Sequence, residues 1–161
     1  TMRSGYGGAW NFTSDVLCDL FEDQCLMGIK EEHTDFKKSY DFVSGLPKEM
    51  DIIVAGGSMR RHQYLHSAGA NAFLSGVGNL FPEIELGYCN ALDNLQDVNR
   101  FLDLETKLFN VFMNNGWHHS LRIALSVVEL TCLFDRMPWP KRDDKLVDEI
   151  RTIIEEIGDE K

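Results

Sequence analysis

The sequence predicts an α/β protein: a parallel sheet with crossover helices, continued by a purely helical tail. Three observations carry the prediction. Short apolar runs recur at Cys25–Lys30, Asp51–Gly56 and Ala72–Val77, and none alternates polar with apolar residues. Runs of this kind mark strands covered on both faces, the habit of parallel sheets. Between them lie segments with apolar residues at helical spacing, giving a strand–helix alternation whose crossovers are expected to be right-handed. After the third run the spacing is helical only.

The elements follow in order. Thr1 to Asn11, with Ser4-Gly5-Tyr6-Gly7-Gly8 inside it, reads as a glycine-rich loop without the apolar stretch of a secretion signal. Ser14 is the expected N-cap of a first helix carrying Val16, Leu17, Leu20 and Phe21. The first strand then ends at Lys30. Thr34 is the expected N-cap of the next helix, with Phe36, Tyr40 and Val43 on one face and Gly45 and Pro47 as its stop. The second strand runs into Gly56-Gly57, and the helix from Met59 to Ser67 turns Tyr64 and Leu65 inward. Beyond the third strand, Pro82 occupies the first turn of a helix with Ile84, Leu86 and Leu92. Val98–Met113 and His118–Phe134 continue the tail, Pro138-Trp139-Pro140 ends the latter, and Asp143 or Asp144 opens the last helix. Its stripe is Leu146, Val147, Ile150, Ile153, Ile154 and Ile157.

Composition narrows the function. Of 161 residues, 26 are acidic and 16 basic, a formal net charge of −10, so the chain lacks the cationic surface that a nucleic-acid binder needs. The most apolar stretch, Ile123 to Phe134, is interrupted by Ser126, Glu129 and Thr131, which is too polar for a membrane span and predicts a soluble protein. Cys18, Cys25, Cys89 and Cys132 show no CxxC spacing and are expected to be buried free thiols in a reducing cytoplasm. His62 and His66 stand i, i+4 but have no third ligand at a familiar spacing, so an exposed helix face is expected there. His118-His119 is expected to cap a helix start. Gly76-Val77-Gly78 lacks the third glycine and the later acidic partner of a dinucleotide loop.

Three parallel strands leave at least one sheet edge unpaired. A closed (β/α)8 barrel takes about 250 residues, so the missing strands must come from another segment, another chain or a different packing. Lys30 is the informative residue, because catalytic side chains of α/β barrels project from the C-terminal ends of strands. Two readings fit it. A lysine held among apolar walls becomes a nucleophilic amine for ketones, which is Schiff-base chemistry; a solvated lysine would simply pair with Glu31 or Glu32.

The surrounding residues bear on that choice. Gly28-Ile29-Lys30-Glu31 with Asp35-Phe36, then Ala55-Gly56-Gly57-Ser58, then Phe73-Leu74-Ser75-Gly76-Val77-Gly78-Asn79-Leu80-Phe81-Pro82, resembles the second half of the dihydrodipicolinate synthase and N-acetylneuraminate lyase family. The likeness runs from about Trp10 to the C-terminus, and the Pro138-Trp139-Pro140 tail fits it. It implies the C-terminal half of a (β/α)8 TIM barrel, strands six to eight, with residues 1–93 as partial barrel and 94–161 as a helical extension. It further implies a lyase or synthase in which Lys30 forms an imine with pyruvate or a related 2-oxo acid, for aldol addition, aldol cleavage or dehydration. Gly57 with Gly56 would admit substrate to the strand end, Leu74 would turn its carbonyl to the site, and Asn79 matches the asparagine after the last strand. No cofactor and no metal are implied. The implied partners are the N-terminal half of the barrel and identical subunits in an oligomer.

Two departures stand against the pattern. Counting back from Lys30 without gaps puts Met2 at the family's proton-relaying tyrosine and Gly7 at its carboxylate-binding arginine, so Tyr6 and Arg3 fill those roles only if the loop is re-registered. The threonine pair that binds the pyruvate carboxylate belongs to the other half. Two alternatives therefore accompany the main reading: an inert half-barrel that serves only folding or oligomerisation, and a sugar-acid dehydratase of the same family.

Overall fold

The computed structural model describes residues 2–4 by their backbone, and residues 12–33, 35–56, 58–132 and 143–160 with their side chains. The chain divides into two compact units, Thr1–Ser75 and Gly76–Lys161.

The first unit alternates strand and helix: β1 (Met2–Ser4), α1 (Ser14–Glu22), β2 (Gly28–Glu32), α2 (Phe36–Ser44), β3 (Asp51–Val54), α3 (Ser58–His66) and β4 (Ala72–Phe73). All pairings are parallel and the order is β1-β2-β3-β4, so every strand ends at the same end of the sheet. The first strand corrects the expectation of a loop at the N-terminus. Met2–Ser4 is too short for any periodicity, and its pairing to β2, Met2 with Lys30 and Ser4 with Glu32, is what makes it a strand. Strand β4 is only two residues long, and the Leu74 N–H extends its ladder by donating to the Val54 carbonyl at 2.8 Å.

The strands are not equally covered on both faces, as their apolar runs led one to expect. In β2, Ile29 and Glu31 are buried while Gly28, Lys30 and Glu32 are half-buried. In β3, Ile52 and Val54 are buried while Asp51 is exposed and Ile53 half-buried. The buried face carries the core, where Ile29, Ile52 and Val54 cluster with Leu17 of α1, Phe42 and Val43 of α2, and Leu65 of α3. The opposite face, which bears Lys30, is the more open one.

Local chemistry sets the helix starts one residue from where they were expected. Thr13, not Ser14, caps α1, its hydroxyl accepting from the Val16 N–H at 3.5 Å. Asp35 caps α2 by accepting from the Lys38 N–H at 3.0 Å, a bond that holds its carboxyl below the usual range; Thr34 lies outside the described residues. Of the two α3 residues expected to turn inward, Leu65 is buried and Tyr64 is not. Tyr64 is half-exposed and its ring meets Phe36 and Tyr40 at 5.6 Å each, forming an aromatic cover between α2 and α3.

Gly28 is required by close packing. A Cβ there would strike the Asp51 backbone carbonyl and lie 2.7 Å from the Asp51 Cβ, at the first pair of the β2–β3 ladder. Backbone cannot yield as a side-chain tip can, so Gly28→Ala is expected to cost roughly 1–3 kcal/mol. Urea denaturation of the variant checks this, and an unchanged midpoint would mean that the two strands separate there in solution.

The second unit holds a 3-10 turn at Val77–Asn79 and four helices among its described residues: α4 (Pro82–Asp93), α5 (Asn99–Asn115), α6 (Trp117–Val127) and α7 (Asp144–Glu160). Pro82 opens α4, as its fixed φ favours. Leu102, Leu108 and Phe112 of α5 are fully buried, and Trp117 at the start of α6 meets the Phe112 ring edge-on at 5.3 Å. The stripe of α7 is buried at Leu146, Val147, Ile150, Ile154 and Ile157. Helix α6 stops well short of the expected Phe134. Glu129 takes a left-handed φ of 60°, and the Leu130 N–H folds back to the Leu125 carbonyl at 2.8 Å, closing the helix despite the apolar residues beyond it. Pro138, Trp139 and Pro140 lie outside the described residues. Among the described residues no helix is long and apolar enough to cross a membrane.

Candidate active site

Parallel strands alternate their side chains between two faces, so residues i and i+2 of one strand stand together. In β2 this puts Lys30 and Glu32 side by side on the open face; the strand does not end at Lys30 as expected but runs on to Glu32, so Lys30 is its middle residue and Glu32 its last. The Lys30 Nζ donates to Glu32 Oε2 at 2.9 Å, with the two side chains 32% and 20% exposed. The lysine is thus neither extended into solvent nor enclosed by apolar walls. It stands half-buried beside a carboxylate, in register with Met2 of β1 and Ile53 of β3.

Gly56, just past β3, completes this corner. Its φ of +69° is a left-handed conformation that L side chains rarely adopt, and a Cβ there would fall 2.8 Å from the Glu32 Cγ. The space that glycine leaves is occupied by Glu32. Lys30, Glu32 and Gly56 therefore form one contiguous group across two neighbouring strand ends. Leu74 follows the end of β4 with its side chain 54% exposed. Asn79 belongs to the second unit, where its amide donates to the Gly76 carbonyl at 3.2 Å. Arg3 is described only by its backbone, paired with Glu31, and Tyr6 and Gly57 lie outside the described residues.

A second polar group lies on the other face of β2, and sequence reasoning did not anticipate it. Glu31 is wholly buried and receives hydrogen bonds from the Ser39 hydroxyl at 2.8 Å and the His33 N–H at 3.0 Å. Arg61 of α3, only 2% exposed, lies 3.6 Å from the same carboxylate, donates to Ser39 Oγ at 2.8 Å and also donates to the His33 carbonyl. Its guanidinium stands 5.0 Å over the Phe36 ring. This network anchors the segment that follows Lys30 to α2 and α3. The signal for it was an acidic residue at an inward position of a strand, which is stable only with a partner.

His62 corrects another expectation. It lies in the interior at 4% exposure, with its ring 5.1 Å from Phe73 and 5.4 Å from His66. Burial first, and the neighbouring His66 second, push its imidazole down to about 4. His119 is buried and His118 exposed in the first turn of α6, whose N-cap is Gly116 with no side-chain capping bond, so the histidine pair does not cap that helix. Among the described residues no group of three or more His, Cys, Asp or Glu could hold a metal ion. The four cysteines are free but not buried as expected: Cys25, in the turn before β2, and Cys132, past the end of α6, are exposed, while Cys18 and Cys89 are half-buried. Burial pushes the Cys89 thiol up.

No protein-family model matches the sequence, and no curated protein is significantly similar to it. Solved structures are. The chain is similar to the 4-hydroxy-tetrahydrodipicolinate synthase of the thermoacidophilic methanotroph Methylacidiphilum fumariolicum SolV, with a TM-score of 0.82 and 20% identity over 99% of this chain and 53% of that one. A monomeric dihydrodipicolinate synthase variant gives a TM-score of 0.84 at 19% identity, over 98% of this chain and 54% of that one. N-acetylneuraminate lyase from Fusobacterium nucleatum gives 0.77 at 14% identity, over 97% and 53%. The chain thus spans about half the length of these structures, and at such identities the likeness is one of fold. It has the architecture of half of a dihydrodipicolinate synthase-like barrel, in keeping with a C-terminal half.

Proposed function

We propose that a half-barrel of this fold supplies the imine-forming lysine of a Schiff-base lyase or synthase, with Lys30 as nucleophile and pyruvate or a related 2-oxo acid as substrate. The observation that carries the proposal is the place of Lys30: on the open face of a central parallel strand, half-buried and hydrogen-bonded to Glu32, whose side chain packs against Gly56 just past the next strand. An amine there can condense with a ketone, and the protonated imine then serves as an electron sink for enamine formation or loss of a hydroxyl. The strands that close the barrel would come from a complementary half, and identical subunits would assemble through the helical unit. The four free thiols support a reducing compartment such as the cytoplasm.

One observation favours a second reading. The register partner of Lys30 on β1 is Met2, which cannot move a proton, at the position where the resemblance calls for a tyrosine. That favours an inert half-barrel. Borohydride reduction in the presence of pyruvate separates the two. The expected result is a mass increase on the peptide containing Lys30, absent from Lys30→Ala; no adduct in the wild-type chain would leave only the inert unit.

A further inference from the structure

We infer that Glu32 is the catalytic acid–base of imine formation at Lys30, an assignment that rests on the imine reading above. Proton transfer requires a group within hydrogen-bond reach of the reacting nitrogen, and the Glu32 carboxylate meets that requirement at 2.9 Å from Nζ. Its position is built rather than incidental. Alternation along β2 puts Glu32 on the same face as Lys30, and the left-handed Gly56 leaves room for its side chain, which any Cβ at that position would displace. The position facing Lys30 on the neighbouring strand is Met2, so the proton must be carried by another group.

The protons balance without any outside reagent. Glu32 takes one proton from the Lys30 ammonium, and the freed amine lone pair forms a bond to the carbonyl carbon of the 2-oxo acid as the carbonyl π pair moves to oxygen. Glu32 gives its proton to that oxygen and takes one from the new C–N nitrogen, leaving a neutral carbinolamine. It then protonates the departing hydroxyl, which leaves as water while the nitrogen lone pair forms the C=N bond. The ammonium's three protons end as one on the imine nitrogen and two in water, and Glu32 returns to carboxylate.

The test is the rate of borohydride-trapped adduct formation with pyruvate from pH 4 to 9, in the wild-type chain, Glu32→Gln and Lys30→Ala. Glutamine keeps the shape and a hydrogen bond but cannot exchange a proton. The expected result is labelling at Lys30 in both the wild type and Glu32→Gln, with the maximal rate of the variant about a hundredfold lower. The rate of the variant stays below that of the wild type at every pH in this range, and half-saturating pyruvate changes by less than about threefold. Glu32→Asp, which keeps a proton-exchanging carboxylate, is expected to recover part of the lost rate. Equal rates and profiles in wild type and Glu32→Gln would overturn the assignment while leaving Lys30 as nucleophile. No adduct in the wild type would overturn the imine reading and the assignment together. Thermal melts accompany each variant; if Glu32→Gln gives no cooperative melt, Glu32→Ala takes its place in the comparison, and a wild-type rate in it would overturn the assignment.

Discussion

Replacing Arg61 by methionine is expected to lower the stability of the chain by roughly 3–5 kcal/mol, because it strands a carboxylate that has no access to water. Glu31 is 0% exposed, and without the guanidinium it loses its cationic neighbour while the Ser39 hydroxyl and the His33 N–H still donate to it. Lysine is expected to be a poor substitute, since the planar guanidinium lies over the Phe36 ring while its Nη2 reaches Ser39 and the His33 carbonyl, a stacked arrangement an ammonium does not reproduce. The double variant Arg61→Met with Glu31→Leu is expected to recover at least half of the loss, as both charges leave the interior at once. Urea denaturation of the three variants measures all of this. A loss below about 1 kcal/mol for Arg61→Met would show that water reaches Glu31 after all.

The second large effect depends on pH. His62 has its imidazole pushed down to about 4 by burial, against an ordinary value of 6.5. Between those values the unfolded chain binds the proton that the folded chain refuses, so stability rises with pH across this window. The contribution is fully present above pH 6.5 and is lost as pH falls toward 4. The difference corresponds to about 3 kcal/mol. His62→Leu removes the titrating group, and the drop in unfolding free energy between pH 7.5 and pH 4.5 is expected to be smaller in it by about 2–3 kcal/mol. An identical drop in both proteins would place the imidazole in contact with solvent.

Much of the fold could be read from the residues because β2, β3 and the helices between them are specified locally. Asp51–Val54 is a strand in the structure as in the sequence, Pro82 opens its helix, and the α7 stripe is buried almost residue for residue. What escaped was set by distant partners. Met2–Ser4 becomes a strand only through pairing with β2, and α6 ends at Val127 only because Glu129 turns left-handed. The site divides along the same line. The placing of Lys30 on a buried-sheet strand and its pairing with Glu32 follow from position in the chain, whereas the strand's continuation to Glu32 does not. The Glu31–Arg61–Ser39 group joins three elements across 30 residues, so the inward acidic position signals that a partner is needed but no local pattern says which residues supply it.

The charge pattern of β2 also protects the fold from a mispaired alternative. Sliding this strand by a single residue against its neighbours would exchange its two sides, driving an ammonium and a second carboxylate into the oily layer beneath the helices and turning Ile29 out toward water. It would also withdraw Glu31 from the guanidinium waiting for it. A misaligned sheet would therefore carry ionic penalties that a strand of plain aliphatic residues would never incur, and only one alignment lets the chain avoid them.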